Sequence, residues 1–114
     1  MFYLTADMEF ACTDPARDTD GNFEAFLDAV MEALADLEDV DHGISSSDMT
    51  ATITLRRAAI DMGVEADTLN DAMRLFLANV RTVLHAAGCG TQLWPAYKPL
   101  NQTPNVHEVD HAGT

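Results

Sequence analysis

Two cysteines, four histidines, a run of three serines and an acid-rich loop are the residues of this sequence that can do chemistry, and their spacing limits each. Cys12 and Cys89 are too few and too far apart for a metal knuckle or a disulfide scaffold, so in a reducing compartment they read as free thiols. His107 and His111 stand at i, i+4, a spacing that presents two imidazoles to one metal on a helix. They belong to a Pro-bounded tail with no third ligand in view, and unstructured polar residues explain them equally well. His42 and His85 are single residues on expected elements, where a packed or surface histidine is the default.

The stretch Asp18-Thr19-Asp20-Gly21-Asn22 matches the first half of a calcium loop, with oxygen donors at positions one, three and five. Position six is Phe23 where glycine is required, and position twelve is Ala29 where a bidentate glutamate is required. A solvated acidic turn beside a helix N-terminus, favoured by the helix dipole, explains the same residues. Ser45, Ser46 and Ser47, like the cysteines, lack an adjacent base that would make a nucleophile. The expectation is therefore no catalytic residue, no resident metal and no cofactor.

Composition narrows the classes further. In 114 residues, 19 acids face 6 cations, giving a net charge of −13, and Lys98 is the single lysine. Nucleic acid and anionic membranes both require a basic footprint, so direct binding to either is not expected. No run of apolar residues reaches membrane-spanning length, and no basic region precedes an apolar one at the start of the sequence, so a cytoplasmic setting is expected.

The elements that position these residues follow from periodicity. Phe2, Leu4, Ala6, Met8, Phe10 and Cys12 alternate with Tyr3, Thr5, Asp7, Glu9 and Ala11, the period of a half-buried strand. A loop with Pro15 and Gly21 leads to a helix capped by Asp20 or Asn22. Phe23, Phe26, Leu27, Val30, Met31, Leu34 and Leu37 form its apolar stripe, with Glu24, Asp28, Glu32 and Asp36 along the outer side. Residues 38–45 predict an acidic edge strand carrying Val40, His42 and Ile44 on one face. Residues 49–57, MTATITLRR, predict the clearest strand, with Thr50, Thr52, Thr54 and Arg56 on one face. Residues 58–65 read as a connection containing Gly63.

The best-defined element is a helix beginning near Asp67 or Thr68. Leu69, Ala72, Met73, Phe76, Val80, Val83, Leu84 and Ala87 make its stripe, Gly88 is its stop, and Trp94 is placed to fold back on the core. After residue 90 the periodicity ends, and residues 98–114 read as a flexible tail following a single domain of residues 1–97.

Strand, helix, strand, strand, helix has one arrangement that buries both stripes. The first two strands lie parallel with a gap, the third fills the gap antiparallel to both, and two helices cover one face. The prediction is an α+β, ferredoxin-like βαββα fold around a three-stranded antiparallel sheet. Residues 92–98 can supply a fourth strand only weakly, because Pro95 removes a ladder donor. This topology also brings Cys12 and Cys89 to one end of the molecule, which leaves a thiol pair open. The run from residue 71 to 94, especially NVRTVLHAAGCGTQLW, together with FEAFLDAVMEALADLEDVD, resembles a group of small, uncharacterised actinobacterial α+β proteins. The resemblance implies a bacterial origin and the same fold, and transfers no site residue.

Two surfaces stand out. The sheet face away from the helices, formed by Tyr3, Thr5, Asp7, Glu9, Thr50, Thr52, Thr54 and Arg56, is either a solvated face or a docking surface. The second is the acidic row Glu24, Asp28, Glu32 and Asp36. The sequence thus predicts a small acidic, non-enzymatic interaction or regulatory module that pairs with itself or a protein partner. The alternatives are an acidic decoy resembling nucleic acid, aimed at a basic partner protein, and a weak metal-binding or thiol-dependent protein.

Overall fold

A computed structural model describes residues 1–41, 43–87, 97–100 and 105–109. The described residues form an α+β fold, with two α-helices and an antiparallel sheet of five strands. The elements run β1 (Phe2–Cys12), α1 (Asp20–Val40), β2 (Ile44–Thr52), β3 (Arg57–Val64), α2 (Leu69–Ala86), β4 (Tyr97–Pro99) and β5 (Asn105–Glu108). The strand order is β2-β3-β1-β4, and β5 also pairs with β1. The strand between β1 and β2 is Arg57–Val64 and not the predicted residues 49–57, and the sheet has more than three strands.

The alternation in β1 does what a period of two requires. Leu4, Ala6, Met8 and Phe10 are buried against the helices, while Asp7 and Glu9 face water. α1 begins at Thr19, whose side chain accepts from the Asn22 amide at 3.1 Å; neither Asp20 nor Asn22 is the cap. Thr68 caps α2 in the same way through the Asp71 amide at 3.2 Å. Phe23, Phe26, Leu27, Val30 and Leu34 of α1 join Ala72, Phe76, Val80, Val83 and Leu84 of α2 in one core with the inner face of the sheet. Burying each large side chain contributes roughly 1.5–3 kcal/mol, so this single cluster dominates stability.

Three predicted boundaries are corrected. Residues 38–40 belong to α1 and not to an edge strand, and β2 starts only at Ile44. The run MTATITLRR is not one strand: it contains the end of β2, a 3-10 turn at Ile53–Leu55, and the start of β3. The expected connection at residues 58–65 is largely β3 itself, and it is β3 that pairs with β1. Here Ala58, Ile60, Met62 and Val64 are buried on the inner face. Gly63 lies within the strand because a Cβ there would meet the Ser45 Oγ and Tyr3 Cε1 at 2.9 Å.

The segment after α2 also differs from the flexible tail expected. β4 pairs with Phe10–Cys12 of β1, and β5 pairs with the residues from Leu4 to Asp7. Tyr97 is fully buried, its ring centroid 5.1 Å from that of Phe23 and 5.3 Å from that of Phe26. It closes the core at this end. His42, the stop at Gly88, Cys89, Trp94 and His111 lie outside the described residues.

Candidate functional site

The register of the sheet shows which side chains share the face turned away from the helices, uncovered among the described residues. In one row Asp48 of β2 stands opposite Asp61 of β3, Asp61 opposite Thr5 of β1, and Thr5 opposite His107 of β5. The next row runs from Thr50 through Ala59 to Asp7. A third runs from Thr52 through Arg57 to Glu9, where Arg57 Nε lies 3.9 Å from Glu9 Oε1. At the other end Ser45, Gly63 and Tyr3 stand side by side. Shallow depressions of about 230 and 390 Å³ lie on this face, the first against Asp7, Thr50 and Ala59 and the second against Tyr3, Asp48 and Asp61.

Six residues of the predicted face are therefore in place: Tyr3, Thr5, Asp7, Glu9, Thr50 and Thr52. The threonines of β2 do not adjoin β1, however, because β3 separates them. Thr54 and Arg56 are not on the face at all, since both belong to the turn between β2 and β3. The sequence reading missed Asp48, Arg57, Ala59 and Asp61. Their signal is the alternation of Arg57, Ala59, Asp61 and Gly63 with Ala58, Ile60, Met62 and Val64, which Gly63 disguised as a loop.

Arg56 has a different task. It adopts the left-handed conformation at φ 53°, ψ 44°, and turns back under the loop before α1. Its Nε donates to Asp18 Oδ1 at 2.6 Å and its Nη1 to Asp20 Oδ1 at 2.7 Å, while the guanidinium carbon lies 5.5 Å from the centre of the Phe23 ring. The Tyr97 hydroxyl donates to the same Asp18 oxygen at 2.9 Å. The hydrogen bond from Arg56, supported by that from Tyr97, holds the Asp18 carboxyl below its usual range against the opposing effect of burial. Hydrogen bonds to Asp18 and Asp20 push the guanidinium pKa up. Burial first, and Asp18 second, push the Tyr97 phenol up. Two aspartates of the calcium-like stretch thus hold an arginine and a tyrosine, a structural clasp joining three distant parts of the chain.

Glu24, Asp28, Glu32 and Asp36 are all exposed along α1. None of them forms an ion pair among the described residues. Glu38 is different in kind: its carboxylate accepts from the Ser46 amide at 3.1 Å and the Ser47 hydroxyl at 2.5 Å, bracing the bulge between Ser45 and Asp48. The serine run therefore serves an edge irregularity. Cys12 is half-buried at the end of β1. Among the described residues no three His, Cys, Asp or Glu side chains are grouped as a metal would need. No described helix is long and apolar enough to cross a membrane. Comparison with protein-family models, curated proteins and solved structures returned no match.

Proposed function

We propose that the chain is a small, non-enzymatic interaction module that docks a protein partner on the uncovered face of its sheet. The observation that carries this reading is the register across β2, β3, β1 and β5. It groups Asp48, Asp61 and Asp7 with Thr50 and Ala59 on a surface with few bulky groups, with Thr5 buried among them. Asp48 and Asp61 stand directly opposite one another, an arrangement that costs stability and that a cationic side chain from a partner relieves. Two copies stacked on this face would bring the same carboxylates together, so a partner bearing Lys or Arg is the better match than self-association.

The ferredoxin-like assignment belongs to the same proposal. Its support is the β2-β3-β1-β4 order, antiparallel throughout, with α1 and α2 sharing one core with the inner face. A cytoplasmic setting and an origin among actinobacterial relatives are also proposed, on the strength of composition and the resemblance of residues 20–95. The acidic decoy is a second reading, favoured by the unpaired carboxylates of α1. Neutralising Glu24, Asp28, Glu32 and Asp36 should then abolish capture of a basic partner.

Sedimentation velocity at low and high salt, with co-purification from source cells, tests the sheet-face reading. Asp48→Asn/Asp61→Asn should lose a partner that the native chain retains, with the circular dichroism unchanged. Equal retention by both chains, or a dimer that tightens as salt rises, would count against it.

A further inference from the structure

α1 and α2 do not close fully on one another. Between them lies a groove of about 540 Å³, floored by Ala33, Leu37 and Val83 and edged by Glu32 and Asp36. Val40 at its end is 77% exposed. The alanine in the floor permits close approach of a second backbone, while Leu37, Val40 and Ala86 offer apolar contact.

The edge decides what fits. Glu32 and Asp36 are one helical turn apart, and neither has an ion-pair partner among the described residues. A second copy of this chain would set the two acidic edges against each other. An anionic bilayer would be repelled in the same way. A helix with an apolar stripe and cations beside it meets both the floor and the edge, since its own i, i+4 spacing matches that of the two acids.

We infer that the groove between α1 and α2 receives an amphipathic helix of a partner protein, apolar side inward, with Lys or Arg opposite Glu32 and Asp36. The inference rests on the reading of the chain as an interaction module but not on the sheet face. Apolar burial supplies affinity, and the acids fix the orientation and speed encounter.

The test uses a synthetic amphipathic peptide with Leu at i, i+3, i+4 and i+7 and Lys on both flanks, titrated into the isotopically labelled full chain. A scrambled peptide of the same composition is the control. Amide shifts should concentrate on α1 and α2, and the scrambled peptide should bind about ten-fold more weakly or worse. Glu32→Lys/Asp36→Lys, both on the exposed side of α1, should weaken the Lys-flanked peptide by a similar factor and favour a Glu-flanked one. No binding by the Lys-flanked peptide, equal binding by the scrambled one, unchanged affinity in the double variant, or shifts confined to the strands would each overturn the inference. Shifts confined to the strands would do so while leaving the sheet-face reading standing.

Discussion

Arg56 combines two opposing effects at one residue. Its left-handed backbone costs about 1 kcal/mol for a side chain with a Cβ, yet its guanidinium joins Asp18, Asp20 and the Ile53 carbonyl, at 16% side-chain exposure. Arg56→Ala keeps the backbone cost and loses the clasp, so it should destabilise by about 2 kcal/mol. Arg56→Gly relieves the backbone and should destabilise by about 1 kcal/mol less than the alanine variant. Urea midpoints order the two; equal midpoints would mean that the φ of 53° carries no penalty.

The same clasp fixes a pH dependence. The Asp18 pKa is lower folded than unfolded, so the unfolded chain binds the proton first, and this contribution is present above about pH 4 and lost as pH falls through the folded value. The Tyr97 pKa is higher folded than unfolded, so its contribution is present below about pH 10 and lost as pH rises above that. Tyr97→Phe should therefore flatten the alkaline limb of a stability-against-pH curve. Asp18→Asn should flatten part of the acid limb.

Among elements, β3 shows how a strand can hide in a sequence. The chain turns between β2 and β3 with no Gly, Pro or Asn, over ITLR, and the threonine and isoleucine content of residues 49–55 continues the look of a strand. The turn is held by the long-range pairing of Arg56 with Asp18 and Asp20, which no local pattern encodes. In the same way, the helical stripe of α1 ends at Leu37 on periodicity, and it is the Glu38 contact with the Ser46 amide that explains the residues beyond. The helices and β1 were legible because one face of each is buried along most of its length. The α+β class was legible too, since both helical stripes need a sheet to cover, but the strand that lies centrally, Arg57–Val64, was not. The composition of the interaction face was not, since a slip in strand boundaries replaces every neighbour.

In the sequence Gly63 reads as a loop signal; in the structure it is a packing requirement. Gly63→Ala would drive a methyl toward the Ser45 Oγ and Tyr3 Cε1, each 2.9 Å away, and the Ser45 carbonyl at 3.1 Å. It should cost about 1–3 kcal/mol, with the loss read from thermal melts. A gain, as expected for an unconstrained glycine in an extended chain, would show that β2 and Tyr3 can move aside.

For the molecule as a whole, the net charge of −13 works against compactness. Glu24, Asp28, Glu32 and Asp36 are spaced i, i+4, and each adjacent pair repels by a few tenths of a kcal/mol. Replacing all four by their amides should raise stability by about 0.5–1 kcal/mol at low salt and by less at 0.5 M salt, where exposed charges are screened. A melting temperature unchanged at low salt would show that the row is already compensated. A stabilised variant that no longer binds a cationic partner would place the acidic row on the side of function.

The central position of β1 has a further consequence, in time. Its described partners are β3, β4 and β5, all of which follow it in the chain, and none is a hairpin neighbour. During synthesis both edges of β1 emerge with nothing to pair against, and the Asp18 clasp waits for Tyr97. Contacts so separated in sequence slow folding, because loop closure precedes its reward. The first strand made is thus among the last to be enclosed, and a nascent chain stalled before β4 would display an open strand edge, the kind of surface that chaperones hold and aggregation exploits.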